Sequence, residues 1–327
     1  MSVLAVERSG GGARVAERSY VVVHETRYAY EQSVGISRQI VHLTPRSLPW
    51  QIRRSHKLEI VPTAEILAVT DDAFGNPTTS FCIEQDHASL VVVAESLVDL
   101  TARPYPEDAA TPPWEDVRDR LAYRAGRAPD PQDLDATRFL FESSRVRNKR
   151  ELAAWTGSCF PPNTPLLVGV RALMNRIHDE FAFDPKATTV STPVMEVFER
   201  RRGVCQDFAH LMLSCLRSVG LAARYVSGYL LTRPPPGRPR MVGADASHAW
   251  VSVYCPGFGW VDADPTNGIF PSLEHVTLGW GRDYDDVTPL RGVLLGGGAH
   301  ELDIAVTVTP RDEYELVFGE PFRMQSP

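Results

Sequence analysis

What this sequence lacks narrows it first. No apolar run approaches the ~20 residues of a membrane-spanning helix, so no span is expected. The opening stretch MSVLAVERSGGGARVAERS has no apolar segment behind a basic start. It reads as a short disordered leader over residues 1–18, not as a secretory signal. The five cysteines, Cys82, Cys159, Cys205, Cys215 and Cys255, include no C-x-x-C pair. An odd, scattered set argues against a disulfide framework or a zinc ribbon and for free thiols in a reducing cytoplasm. Neither a G-x-x-x-x-G-K phosphate loop nor a strand-borne G-x-G-x-x-G is present, so no cofactor is expected. The run Gly296-Gly297-Gly298 reads as a flexible connector. Basic excess is also missing: the net charge of −7 argues against nucleic acid or an anionic membrane as partner.

What is present divides by composition. Residues 19–105 are rich in Val, Ile, Tyr and Thr and partly alternate, in YVVVHETRYAY, HKLEIVP, AEILAVT, TTSFCIE and SLVVVAESLVDL. These are strand signals, and DDAFGNP, with Gly75 and Asn76, is a turn between two of them. Four prolines in TARPYPEDAATPPWEDV end that pattern. Helices are expected in WEDVRDRLAYR, PQDLDATRFLFESS and TPLLVGVRALMNRIHDEF, while RVRNKRE reads as a solvated loop or helix face. A further helix is signalled by Thr192 as N-cap, Pro193 at the first helical position and Gly203 at its end.

The helix after it starts at Cys205 and stops at Gly220, with apolar residues at 208, 211, 212, 215, 216 and 219 forming one stripe. LAARYVSGYLL reads as a strand, RPPPGRPR as a polar loop, HAWVSVYCPGFGWVDADP as two strands about a Pro-Gly turn, and LDIAVTVTP as a last strand. A helix start favours a thiolate, and a nucleophilic cysteine needs a base within reach and a third group to orient that base. His248 opens one strand and Asp264 closes the next. The two share a sheet face only if the intervening turn holds an odd number of residues, because side chains alternate. The spacing permits that without requiring it. Cys205 also continues the apolar stripe, so periodicity alone leaves core packing open beside catalysis. Tyr229 and Trp250 are candidates for lining a substrate cleft, aromatic core packing being the alternative. Asp207 reads as a stabiliser of the helix start, and His210, about 140° around the helix from Cys205, is not expected to be the base.

At these residues the chain resembles the transglutaminase-like superfamily, in particular its bacterial members classed with cysteine proteases. Three ordered blocks carry the resemblance: GVCQDFAHLMLSCLRSVGLAARYVSGY, SHAWVSVYCPGFGWVDADPTNG and VTLGWGRDYDDVTPLRGV. YAYEQSV and VHLTPR resemble the N-terminal region that accompanies this subfamily. The resemblance implies an α+β fold, with a papain-like core in which the nucleophile's helix packs on an antiparallel sheet, preceded by a β-rich domain. It divides the chain into an N-terminal β domain at 19–105, a catalytic core at 106–290 and a C-terminal strand and tail at 291–327. It implies Cys205 as nucleophile, His248 as base and Asp264 as orienting carboxylate, with Asp262 the neighbouring alternative. The chemistry implied is attack on an amide of a peptide or protein substrate through a thioester. Transfer to an amine, as in a true transglutaminase, and a non-catalytic binding module are the alternatives. No D-x-D-x-D-G calcium loop is present.

Overall fold

The computed structural model describes residues 17–123, 125–126, 130–232 and 247–319. The first 16 residues of the expected leader and the RPPPGRPR loop lie outside the described residues. The chain begins with five strands: β1 (Glu17–Val41), β2 (Gln51–Val61), β3 (Glu65–Asp71), β4 (Pro77–Ile83) and β5 (His87–Thr101). They pair antiparallel in the order β2-β5-β1-β4-β3. β1 is the spine of this sheet and runs past the expected YVVVHETRYAY. Apart from Val21, its buried positions are even-numbered from Tyr20 to Tyr30 and odd-numbered from Ser37 to Val41. A register shift between Val34 and Ile36 accounts for the change, since one extra residue flips which face is buried. A pattern that changes phase midway hides the second half of a strand from periodicity.

The helical layer follows as α1 (Trp114–Leu121), α2 (Pro131–Thr137), α3 (Arg150–Gly157) and α4 (Leu166–Glu180). α3 begins within RVRNKRE, at Arg150. Two-residue strands β6 (Ala182–Phe183) and β7 (Arg202–Gly203) flank α5 (Val194–Arg200). Pro193, not Thr192, holds the N-cap position of α5, and Arg201 in the left-handed conformation (φ 54°) ends the helix, not Gly203. Then comes α6 (Cys205–Ser218), packed on a second antiparallel sheet. That sheet holds β8 (Ala223–Leu230), β9 (Ser247–Cys255), β10 (Gly259–Ala263) and β11 (His275–Gly281) in the order β10-β9-β8-β11. α6 is not a one-stripe helix: every residue from Asp207 to Arg217 is buried. It lies between the sheet on one side and α3, α4 and α5 on the other.

β12 (Leu290–Gly296) and β13 (His300–Pro310) then return to pair with β1, and α7 (Tyr314–Phe318) closes the described chain. Gly296, which ends β12, and Gly297 and Gly298 after it are not slack. All have positive φ (+101°, +93° and +64°), and the Gly297 carbonyl accepts from the Gln32 amide at 3.0 Å. Two large apolar cores result, with two small clusters beside them. One lies among the helices and one face of the second sheet; the other fills the first sheet and takes in Tyr229, Val276, Leu278 and Leu290.

Candidate active site

Cys205 is the first residue of α6 and is half-buried. The helix start is held by Asp207, whose carboxylate accepts from the Val204 amide at 2.9 Å and the Thr188 hydroxyl at 2.6 Å. A side chain on Gly203 would collide with that carboxylate, its Cβ falling 2.7 Å from Oδ2. Glycine at 203 therefore serves the cap of α6 rather than the end of α5. His210, one turn on, is wholly buried, and its Nε2 accepts from the Tyr284 amide at 3.2 Å. Burial pushes it down to about 4.

The β9–β10 hairpin decides the parity question. Cys255 pairs with Gly259, so the loop is the three residues Pro256, Gly257 and Phe258, an odd number. Gly257 and Gly259 take positive φ there. Side chains of His248, Trp250, Asp262 and Asp264 consequently share one face. His248 Nε2 donates to Asp264 Oδ2 at 2.7 Å. His248 is 8% exposed and Asp264 0%. Burial, the largest influence on the ring, disfavours its charged form. Hydrogen bonds to Asp264 and Cys205, with their charges, outweigh it and push His248 up to about 10. Burial is likewise the largest influence on Asp264 and favours the neutral acid. The bonds from His248 and His275 nevertheless hold its carboxyl well below the usual range.

Asp264 is richly satisfied. Its Oδ1 accepts from the amides of Thr266 (2.9 Å) and Asn267 (3.2 Å), and Oδ2 accepts also from Asn267 Nδ2 (2.7 Å) and His275 Nε2 (3.1 Å). Asp262 is engaged otherwise, with the Trp250 indole N–H at 2.9 Å and a buried pair with Arg103. His248, Asp264 and His275 are the one group among the described residues whose ligand atoms lie close enough together, within 4.8 Å, to share a metal ion. Nitrogen and oxygen atoms bound to one tetrahedral ion at ~2.0–2.1 Å stand roughly 3.3 Å apart. The 2.7 Å bond between His248 and Asp264 is tighter than that, and fits a shared proton better than a shared ion.

Neither aromatic candidate lines a cleft. Trp250 is fully buried with its indole on Asp262. Tyr229 is fully buried in the core of the first sheet, its hydroxyl 2.9 Å from His24 Nδ1. The expectation of substrate contact at these two positions is corrected to core packing, where the area they hide from water is used. Gln206 is half-buried and reaches the Val190 carbonyl at 3.4 Å. Asp283 binds the Arg145 amide at 2.9 Å, and Arg282 pairs with Asp286. His275 did not stand out in the sequence, because a histidine opening a short alternating run carries no local signal of what its ring will meet.

A helix packed on an antiparallel sheet, with a half-buried cysteine at its start and a buried His–Asp pair on adjoining strands, defines a papain-like α+β fold. Comparison with known proteins agrees. Residues 153–265 match the Transglutaminase-like superfamily, and residues 20–99 match the Bacterial transglutaminase-like N-terminal region. An uncharacterized protein of Mycobacterium tuberculosis is 38% identical over 299 residues, spanning 89% of this chain and 92% of the relative. The chain thus belongs to the transglutaminase-like superfamily, with the N-terminal region of its bacterial members. A crystal structure described as "a Putative Cysteine Protease from Cytophaga hutchinsonii" shares the fold, with a TM-score of 0.70, 19% identity and 95% of each chain covered. A Pseudomonas aeruginosa protein named protein-glutamine gamma-glutamyltransferase is 36% identical over 106 residues, 31% of this chain and 16% of that protein. No helix among the described residues is long and apolar enough to cross a membrane.

Proposed function

We propose that this protein is a thiol-dependent amide hydrolase acting on peptides or proteins, with Cys205, His248 and Asp264 as a catalytic triad. The observation that carries the reading is the buried His248, hydrogen-bonded to the buried Asp264 carboxylate and under the electrostatic influence of Cys205 at the start of α6. With Nε2 committed to Asp264, Nδ1 is the ring nitrogen left for sulfur. The Cys205 thiolate attacks the amide carbonyl carbon, and the π electrons move to oxygen. Collapse of the tetrahedral intermediate breaks the C–N bond, and the departing amine takes a proton from the His248 imidazolium. A thioester remains. Water then adds with His248 accepting its proton, the C–S bond breaks, and carboxylic acid and thiol are released. The first helical amide at Cys205 is one donor for the oxyanion, a contact of the kind that lowers a barrier by roughly 3 kcal/mol.

A primary amine in place of water would give transamidation, and the similarity to the Pseudomonas aeruginosa protein supports including it in the test. Near neutral pH, iodoacetamide is expected to alkylate Cys205 at least about tenfold faster than Cys82, Cys159, Cys215 and Cys255, which are buried. Peptide mapping by mass spectrometry measures this, and equal rates at all five thiols would defeat the reading. Peptides incubated with the protein, with and without a primary amine, distinguish hydrolysis from transfer.

A further inference from the structure

The most unusual group near this site is a second histidine on the same carboxylate. His275 opens β11, which is the far edge of a sheet whose opposite edge is β10. Its ring crosses two strands to reach Asp264, at 3.1 Å from Nε2 to Oδ2. The path exists because β8 carries Gly228 in that row, opposite His248 on one side and Thr277 on the other. A Cβ on Gly228 would stand 2.1 Å from the Val276 carbonyl oxygen and 2.5 Å from the Trp250 ring. The His275 ring lies edge-on to Trp250 at 5.2 Å and 5.8 Å from the His248 ring.

The protonation pattern follows from the partners. A carboxylate only accepts, so His275 Nε2 carries a hydrogen and donates it to Asp264. His275 Nδ1 is buried without a hydrogen-bond partner. Burial, the largest influence, keeps the ring neutral. The charges of His248 and Arg103 act in the same direction and outweigh the pull of Asp264. An orphaned ring nitrogen in a site only 1% exposed is a cost that a leucine or phenylalanine would not incur. The bond to Asp264 is the one interaction of this ring that an apolar residue could not replace.

We propose that His275 is a positioning residue for Asp264: an Nε2–H donor that pins Oδ2 so that it meets His248 Nε2 in one orientation. This rests on the triad reading above, and it adds a fourth residue that never touches substrate. Because the donor is neutral, it holds the carboxylate without competing for the charge that balances the His248 imidazolium. Asn267 Nδ2 and the two backbone amides fix the carboxylate from the loop side, and His275 fixes it from the sheet.

The test is the pH profile of Cys205 alkylation in the full chain, compared for wild type, His248→Ala, His275→Leu and His275→Gln. Gln places an amide N–H near the position of the ring Nε2, whereas Leu fills the volume without a donor. His275→Leu is expected to slow alkylation at neutral pH about tenfold, the loss of one hydrogen bond to a charged group, and to leave a simple thiol titration curve. His275→Gln is expected to recover the wild-type profile to within roughly threefold. A wild-type profile in His275→Leu, with His248→Ala collapsed, overturns this inference and leaves the triad intact. No change in His248→Ala overturns the triad reading and this inference with it. Should His275→Leu not fold, 15N NMR of wild-type histidines decides. The His275 ring is expected to be the neutral Nε2–H form at neutral pH, and an Nδ1–H form there overturns the inference.

Discussion

Asp264 shows how a single carboxyl group sets the electrostatics of the site. Buried and charged, it would be untenable alone, and five donors hold it as an anion. Replacement by Asn keeps the shape and removes the charge. Asp264→Asn is expected to lower Cys205-dependent turnover by ~10²–10⁴, the scale seen when a catalytic histidine loses its orienting carboxylate, with the fold retained by circular dichroism. The same substitution has a signature in stability. The folded value of His248 is raised to about 10, so its contribution is fully present below the ordinary histidine value near 6.5. That contribution is lost as pH rises through 10. Wild-type resistance to urea is therefore expected to fall between about pH 7 and 10, and Asp264→Asn to flatten that fall. An equally steep fall in the variant would show that another group is responsible. At this scale the sequence was informative in part. Cys205 at a helix start and His248 and Asp264 on consecutive strands made a triad a candidate, and the family resemblance of their blocks assigned the three roles. His275 could not be named, since its role depends on a path across two neighbouring strands. Tyr229 and Trp250 were candidates for a cleft and prove to be core, because aromatic type does not reveal which face of a strand is covered.

Among the elements, β8 is the tightest constraint on the site. Its Gly228 pairs with His248 on one side and Thr277 on the other, and has the Val276 carbonyl and the Trp250 ring directly over it. The blocking atoms at Gly228 include backbone, which no rotamer change relieves. Gly228→Ala is expected to destabilise the protein by about 1–3 kcal/mol, as overpacking does, and to displace Trp250 from Asp262. Chemical denaturation and tryptophan fluorescence check this; an unchanged midpoint would mean the sheet can shift at no cost. The strand signals for β8, β9 and β10 were plain in the sequence, as was α6, because each is continuous and bounded by glycine or proline. Others were hidden for physical reasons. β11 and β12 are interrupted by glycines that serve close packing, and the second half of β1 changes phase at its bulge. α3 begins in a run of charged residues whose exposed positions mask its two buried ones, Leu152 and Thr156.

Over the whole molecule, the question is what the first sheet does for a site it does not contain. Part of the answer lies at the free edge of β11, whose unpaired backbone groups would otherwise need a further strand. Two side-chain amides stand in for one. Gln51 Nε2 donates to the Thr277 carbonyl and Gln51 Oε1 accepts from the Thr277 amide, both at 2.7 Å. Asn76 makes the matching pair with Trp280, at 2.8 and 2.9 Å. Arg46 lies over the Trp280 ring, and Arg103 reaches from the end of β5 to Asp262. The N-terminal strands thus brace the strand that carries His275, and β12 and β13 return to the same sheet. Gln51→Ala would leave the buried Thr277 amide unpaired, at about 1–3 kcal/mol, and its carbonyl with only the Arg46 amide at 3.3 Å. Its expected effect is a loss of roughly 1–3 kcal/mol in one cooperative transition, seen alike by tryptophan fluorescence and far-ultraviolet circular dichroism. Slower Cys205 alkylation should accompany it, because β11 then holds His275 less firmly against Asp264. Two separate transitions, with alkylation unchanged, would instead mean that the strands fold beside the site without bracing it.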